Sequence, residues 1–320
     1  MPKALFMKTI TVSFLVAALS VATGGSPVHA HDSKKHNELA QSETAPTIGA
    51  TMLNDTLTML SGVGGFTGGN VVVSNGKDGM LIIDDKLPSM TELLKDALDK
   101  IGGAASLKFV LNTHWHFDHA GGNAEFGKSA TIVAHSNVRK RLSSDQRIDI
   151  FDMNLPAGPA SALPVITFDD SLSIHFNDEE IRVIHMSNSH TDTDSVIYFT
   201  KSNVLHTGDL FFNGLFPFVD IQNGGDVENL ALNIEKVLSM FPADMTIVPG
   251  HGPIAKVTDL KKYHRMLIET IANVQSQIKG NKTLDQIKAS GVPKEWAGWG
   301  WRIDPATWNS IIYASLMKSR

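Results

Sequence analysis

From residue 48 onward the chain alternates short apolar runs with longer amphipathic ones. The runs "NVVVSN" and "GMLIIDD" flank a turn at residues 76–79, which predicts a β-hairpin. The next stretch, "MTELLKDALDKIGG", places its apolar residues on one helical face and ends in two glycines, as a helix does. Later strand-length runs and two long amphipathic runs continue this alternation. The pattern is typical of a layered α/β fold with helices outside the sheets.

The two ends of the chain depart from this pattern. Lys3 and Lys8 precede an apolar run at residues 10–22, and "VHA" then provides a small-residue cleavage site, which indicates a signal peptide at residues 1–30. The run is shorter than the roughly 18–20 apolar residues that a spanning helix needs. We therefore expect a periplasmic or secreted protein that leaves the membrane after cleavage. Residues 31–47 are polar and aperiodic, which predicts a flexible linker before a domain at residues 48–320.

Composition narrows the classes of partner. The chain has a formal net charge of −5 and 19% charged residues, which excludes the basic surface of a nucleic-acid-binding protein, so we expect a small-molecule substrate. Without cysteine the fold has no disulfides. Residues 257–320 are helical in pattern and rich in tryptophan. We expect these tryptophans to form a packing cap, with a homo-oligomer through this region as the alternative.

Candidate chemistry is concentrated in the motif "HWHFDH". The motif follows the predicted strand "LKFVLNT" and precedes a glycine pair. Alternating positions on an extended segment point His114 and His116 to the same side. Asp118 and His119 fall where the chain curls towards a helix, so they can address a second ion. Imidazole and carboxylate groups suit zinc and iron.

Further polar residues follow other predicted strands. They are His190 in "SNSHTDTDS", Asp209 in "LHTGDLFF" and His251 in "VPGHGP". Functional residues of α/β sheets collect at the carboxyl ends of strands, so we expect these side chains to join the first motif in a metal site. Asp84 and Asp85 end the strand "LIIDD", and we expect one of them to hydrogen-bond a ligand histidine from outside, as metal-bound imidazoles usually require.

The segments "HWHFDH", "SHTDTDS", "TGD" and "PGHGP", in this order, resemble the metallo-β-lactamase superfamily. The resemblance covers about residues 48–256 and implies a four-layer αββα sandwich, here with a helical C-terminal extension, that holds one or two metal ions at a sheet edge. It implies that His114, His116 and His190 hold the first metal. By the same resemblance, Asp118, His119 and His251 hold the second. Asp209 then bridges both ions.

This ligand set implies a zinc-dependent hydrolase with two Zn²⁺ ions, with iron or manganese as alternatives. Two ions ~3.5–4 Å apart can share a hydroxide that is already ionised at neutral pH. That hydroxide attacks a carbonyl, while Asp118 orients it and accepts its proton. We expect the substrate to be a small ester or amide that is cyclic, such as a lactone or a β-lactam.

Three other functions stay open. Zinc β-lactamases with the most similar "HxHxDH" layout place a cysteine at the position of Asp209, so the aspartate disfavours a β-lactamase proper without excluding it. An iron-dependent oxidoreductase of the same fold uses a similar ligand set. A protein that binds metal without catalysis is the third alternative, against which the intact ligand set argues.

The remaining predictions concern the substrate and the other histidines. The glycine-rich stretch "SGVGGFTGGN" lies where the superfamily has a mobile hairpin over the substrate, so Phe66 is expected to touch the substrate. Asn213 is a candidate polar contact for a substrate carbonyl. His135, His175, His185 and His206 lie in or beside predicted strands, and we expect each of them to be a structural or a surface histidine.

Overall fold

The computed structural model describes residues 45–318. The predicted signal peptide and linker residues 31–44 lie outside this range, and Thr47, the last residue of the predicted linker, already begins the first strand. Among residues 45–318, no helix combines the length and the apolarity that crossing a bilayer requires.

Two mixed sheets form the centre of the described chain. The first sheet has seven strands in the order β1-β2-β3-β4-β5-β6-β9 and the second has six in the order β10-β11-β12-β13-β14-β15. The strands of the first sheet are β1 Thr47–Met52, β2 Leu57–Val63, β3 Val71–Gly76, β4 Gly79–Ile83, β5 Leu107–Leu111, β6 Thr131–His135 and β9 Ile166–Phe168. Those of the second are β10 Ser171–Phe176, β11 Glu179–His185, β12 Ser195–Phe199, β13 Val204–His206, β14 Thr246–Val248 and β15 Ala255–Lys256. A separate hairpin consists of β7 Gln146–Ile148 and β8 Met153–Leu155.

Seven α-helices accompany the sheets in the described chain. They are α1 Thr91–Ile101, α2 Asn123–Phe126, α3 Ser136–Leu142, α4 Val227–Met240, α5 Val257–Lys279, α6 Leu284–Ser290 and α7 Pro305–Lys318. Helix α1 shares a hydrophobic core with the first sheet, whereas α4, α5 and α7 share one with the second. The expected four-layer αββα sandwich with C-terminal helices is confirmed.

The alternation of side chains along β4 shows why the layers form. Leu81 and Ile83 enter the core between the two sheets, whereas Met80 and Ile82 enter the core under α1. A strand that is buried on both faces needs a continuous apolar run, and "MLII" provides one. Strands β4, β5, β6 and β9 run parallel, so their carboxyl ends meet at the same edge of the sheet.

Local elements agree with the sequence pattern at most positions. The β3–β4 hairpin pairs Gly76 with Gly79, and helix α1 ends before Gly103, whose φ of 90° favours glycine. The turn between β10 and β11 uses Asn177 and Asp178 with φ of 54° and 59°, the left-handed geometry of a tight hairpin turn. The β7–β8 hairpin and the short helices α3 and α6 were not predicted.

The C-terminal tryptophans divide into two groups. Trp296 and Trp308 are fully buried in the core beneath α5 and α7, so the packing role is confirmed for them. Trp301 is 54% exposed and lies instead at the mouth of a cavity. Assembly of the protein through this region stays a prediction.

Two histidines join the sheets at one edge. The rings of His135, at the end of β6, and His185, at the end of β11, stack with centroids 3.7 Å apart. Burial and then the neighbouring His135 lower the pKa of His185 to about 4, and burial also lowers the pKa of His135. Both rings are therefore neutral in the folded protein at neutral pH, which gives them the structural role expected from the sequence.

This stack predicts a loss of stability in mild acid. The unfolded chain binds protons below the ordinary histidine pKa of about 6.5, whereas the folded protein resists them down to about pH 4 at His185. The free energy of unfolding should therefore fall as the pH drops through this window. Denaturant titrations of His185→Gln should show that the free energy of unfolding falls less between about pH 7 and pH 5 than it does in the wild type. His175→Gln, which alters an exposed histidine, is the control and should behave like the wild type; equal falls in all three proteins would contradict the prediction.

Candidate metal centre

Loops that follow strands of both sheets meet at one edge of the sandwich. The motif at residues 114–119 follows β5, and His190 follows β11. Asp209 lies in a short turn after β13, and His251 follows β14. All these side chains are buried or nearly so. The sequence prediction that these strand ends converge is confirmed.

The side chains form two adjoining clusters. Ligating atoms of His114, His116 and His190 lie within 4.8 Å of one another. The same limit holds for Asp118, His119 and His251, and for a third group of His114, His119 and Asp209 that links the other two. The clusters correspond to the two ligand groups that the resemblance implied.

Asp209 stands between the clusters with one oxygen towards each. Its Oδ2 lies 3.4 Å from His190 Nε2 and 3.9 Å from His114 Nε2. Its Oδ1 lies 3.0 Å from His119 Nε2 and 3.5 Å from His251 Nε2. A carboxylate in this orientation can bind two cations, one through each oxygen.

Outer partners fix the rings of the first cluster. His116 donates from Nε2 to Asp220 Oδ2 at 3.0 Å, and His190 donates from Nδ1 to the Phe218 carbonyl at 2.6 Å. These hydrogen bonds use the outer nitrogens, so the remaining nitrogens point towards the centre of the cluster. His116 Nδ1 and His190 Nε2 then face each other at only 2.8 Å. Two lone pairs at that distance repel unless a cation or a proton lies beside them.

Asp84 anchors rings of both clusters. Its Oδ2 accepts from His119 Nδ1 at 2.7 Å and from the Thr113 hydroxyl at 2.7 Å. The Thr113 hydroxyl in turn accepts from His114 Nδ1 at 3.0 Å. The expectation that Asp84 or Asp85 supports a ligand histidine is thus confirmed for Asp84. Asp85 accepts from the Gly122 backbone instead, and burial raises the pKa of its carboxyl.

The inward-facing atoms fit a metal ion. His114 Nε2 and Asp209 Oδ1 are buried and make no hydrogen bond within the described chain, although a His119 nitrogen lies near the latter. Unsatisfied buried polar atoms cost about 1–3 kcal/mol each, and a cation bound beside these two atoms would remove that cost. Imidazole nitrogens and carboxylate oxygens are the donors that zinc and related cations take. A metal cofactor follows from this donor set.

The carboxylates make the site strongly attractive to positive charge. Burial by itself lowers the pKa of His251, but Asp209 and Asp118 outweigh it and raise that pKa to about 9. His119 shifts in the same direction for the same reasons. Burial opposes ionisation of Asp209, yet these two histidines hold its pKa well below the usual range. Protons on the histidines thus compensate the buried negative charge that a cation otherwise balances.

Sequence reasoning missed two charged residues of the site. Asp220, which anchors His116, follows an aromatic loop at no motif spacing. Lys86 is fully buried in left-handed backbone with a φ of 67°, and its Nζ donates to the Gly69 carbonyl at 2.8 Å. Burial lowers the pKa of Lys86 to about 8, an effect that the charge of Asp118 opposes. Lys86 thereby fastens the glycine-rich loop and places a cation near the clusters.

A cavity of about 440 Å³ opens on the clusters. Asp118, Asp209 and His251 lie at its floor, and its walls are mainly aromatic and aliphatic. The wall residues include Phe66, Phe117, Phe151, Phe212, Phe216, Phe218, Ile148, Met153 and Trp301. Phe66 stacks on His251 with ring centroids 6.1 Å apart, so the residue predicted to touch the substrate lies beside the metal ligands.

Asn213 lies elsewhere. Its Nδ2 donates to the Pro253 carbonyl at 3.0 Å, and its backbone N–H donates to the His251 carbonyl at 2.9 Å. It does not line the cavity over the clusters but a neighbouring depression that it shares with Phe66. The structure gives Asn213 a role in fixing the His251 turn, and its predicted contact with a substrate carbonyl stays a prediction.

Several proteins of known sequence are similar to this chain. An uncharacterized protein of Aquifex aeolicus is 28% identical over 56% of this chain and 82% of its own length. A hydroxyacylglutathione hydrolase of a Polaromonas species is 28% identical over 45% of this chain, which spans only 48% of that relative. A metallo-β-lactamase type 2 of Bacteroides fragilis is 22% identical over 64% of this chain and 79% of its own length.

Solved structures share the fold. A metallo-β-lactamase from Pontibacter korlensis matches with a TM-score of 0.56 at 18% identity, over 69% of this chain and 99% of its own. The stereoselective inverting sec-alkylsulfatase Pisa1 from a Pseudomonas species matches with a TM-score of 0.59 at 16% identity, over 83% of this chain and 50% of its own. The family model of the metallo-β-lactamase superfamily matches residues 64–265, which hold all the clustered ligands. The chain belongs to the metallo-β-lactamase superfamily and is a hydrolase of that fold with a metal cofactor.

Proposed function

We propose that this protein is a dinuclear zinc hydrolase that opens a small ester or amide, a cyclic one such as a lactone or a β-lactam. The observation that carries the proposal is the orientation of Asp209, whose two oxygens face two separate groups of histidine nitrogens. A protein with a single metal ion needs no such shared carboxylate. The first ion belongs to His114, His116 and His190. The second belongs to Asp118, His119 and His251.

The chain's own groups prepare the reaction. When bound, paired zinc ions ionise water at neutral pH and polarise a carbonyl. Asp118 lies at the cavity floor with its Oδ2 3.2 Å from His251 Nε2, where it can orient an attacking water and accept its proton. The hydrogen bonds from the rings to Asp84, Asp220 and the Phe218 carbonyl hold the ligands still. No serine or cysteine nucleophile is needed.

The wall of the cavity favours a substrate with an apolar group. Phe66, Phe212 and Phe218 surround the clusters, and Phe218 stacks on His116 with ring centroids 5.6 Å apart. Such a wall binds an acyl or ring substituent and keeps bulk water from the reacting carbonyl. In this proposal Phe66 contacts the substrate from the glycine-rich loop.

Metal analysis and a substrate panel together test the proposal. Protein purified without added metal should contain zinc, and a chromogenic panel of lactones, β-lactams and simple esters should reveal turnover that a chelator abolishes. Bound iron, together with activity on oxygen or sulfur compounds, would indicate an oxidoreductase and not a hydrolase. Bound zinc without turnover across the panel would favour a protein that only binds metal.

Asp209→Ala tests the shared carboxylate. The variant should lose the second ion, so its content should fall from about two ions per chain to about one, because neither cluster alone provides the bridging oxygen. Activity towards the substrate found in the panel should drop at least about a hundredfold. Asp209→Asn preserves the shape of the side chain and controls for folding, which thermal unfolding checks. Near-native activity in both variants would refute the two-metal assignment.

Asp220→Asn tests the outer anchor of His116. Loss of the carboxylate charge weakens the hydrogen bond that orients the ring, so affinity for metal should fall about tenfold to a hundredfold. Competition with a chromogenic chelator measures this directly. Asp192→Asn is the matched control, because Asp192 pairs with Arg141 in a nearby loop and touches no clustered histidine. Equal affinities in the two variants would contradict the anchoring role.

The proposed location is the periplasm or the medium. If the first thirty residues direct export, the mature protein should begin at His31. N-terminal sequencing or intact mass of the protein from a periplasmic fraction checks this. Recovery of an uncleaved chain from the cytoplasm would contradict it.

A further inference from the structure

Arg302 lies at the mouth of the cavity over the clusters. Among the residues that line this cavity in the described chain, it is the one lysine or arginine. The other ionisable groups that line it are Asp118, Asp209, His116 and His251, and all four belong to the proposed metal site. Arg302 is exposed, so water solvates its charge, and it stands beside walls that are mainly aromatic and aliphatic.

The backbone around Arg302 is fixed from both sides. Ile303 is 4% exposed and packs into the core beneath the C-terminal helices. The Trp299 carbonyl accepts a hydrogen bond from the Phe216 N–H at 3.0 Å, which ties this segment to the aromatic loop of the site. Asp304 then caps α7 by accepting from the Thr307 N–H at 2.6 Å. These contacts hold the backbone of Arg302 in place beside the cavity.

The guanidinium lies over two aromatic rings and has no polar partner in the described chain. Its central carbon lies 4.1 Å from the centre of the Phe66 ring and 5.3 Å from that of Trp301. It makes no hydrogen bond or ion pair with any residue between 45 and 318. Its N–H groups are therefore available, and arginine N–H groups bind planar anions such as carboxylates in a bidentate manner.

We propose that Arg302 binds an anionic group of the substrate while the apolar part of the same molecule lies on the aromatic wall. The substrate class is then an ester or amide that carries a carboxylate at the end remote from the reacting carbonyl, and not a neutral lactone. The identification of this ligand as the substrate rests on the proposed function. The binding of an anion to Arg302 is independent of the proposed function. The C-terminal extension, which lies beyond the matched family region, thereby selects the substrate.

A pair of ligands that differ in charge alone tests this proposal. Phenylbutanoate and phenylbutanamide share their ring and chain, and only the first is an anion. Isothermal titration calorimetry on the zinc-loaded protein would measure both affinities in the wild type and in Arg302→Gln. Arg182→Gln is the control, because it removes the same charge from an exposed strand position that lines no part of the cavity.

The readout is the ratio of the two affinities. Any binding of the carboxylate to metal is common to all three proteins and cancels when their ratios are compared. In Arg302→Gln the preference for the carboxylate should fall about tenfold, the loss expected for one charge-assisted hydrogen-bonded pair. The amide should bind nearly as well as before, and Arg182→Gln should keep the wild-type ratio. An unchanged ratio in Arg302→Gln would overturn the proposal, as would an equal loss for both ligands, which would mean that Arg302 only supports Phe66.

This measurement is independent of turnover. If the substrate panel shows no hydrolysis but the ratio falls, the proposed function fails and the anion site stands. If hydrolysis occurs with an unchanged ratio, the proposed function stands and the anion site fails. Arg302→Lys retains charge without the bidentate edge and should keep only part of the preference.

Discussion

The site depends on one constraint, the close approach of histidine ring nitrogens inside a buried cluster. His116 Nδ1 and His190 Nε2 face each other at 2.8 Å, and His119 Nε2 and His251 Nε2 at 3.3 Å. Lone pairs that face each other at these distances repel, so a cation or protons must lie beside them. The clustered nitrogens therefore need positive charge nearby, and the buried carboxylates of Asp118 and Asp209 attract it further.

Hydrogen bonds to surrounding residues hold the histidine rings in this arrangement. Four of the five histidine rings donate their outer nitrogen to a fixed acceptor, so they cannot rotate away from the centre. Asp84 serves two of these rings, one directly and one through the hydroxyl of Thr113. Asp84 also lies in left-handed backbone with a φ of 62°, a sparsely populated conformation that costs some backbone energy even for an aspartate. Strain in the loop after β4 thus accompanies the ordering of the ligands.

Specificity comes from a different part of the chain. The ligands come from loops that follow strands, whereas the cavity walls come from the glycine-rich loop, the β7–β8 hairpin, the aromatic loop after Asp209 and the segment before α7. These four segments are far apart in sequence and have little periodicity, so no sequence pattern predicted that they meet. The family resemblance led us to expect Phe66 at the substrate, but nothing in the sequence pattern indicated Trp301 or Arg302. Asn213 is close to a ligand in sequence but lies outside the cavity.

The sequence by itself determined the layered fold and the group of clustered side chains. Apolar runs of strand length fix which segments are buried on both faces, and polar residues directly after such runs must gather at a sheet edge, as His190, Asp209 and His251 do. Only the tertiary structure decided how those side chains are oriented and what surrounds them. Asp220 reaches His116, and Arg302 reaches Phe66, through contacts between segments whose spacing carries no signal. Periodicity reports burial along one segment, whereas orientation and specificity depend on which segments pack together in space.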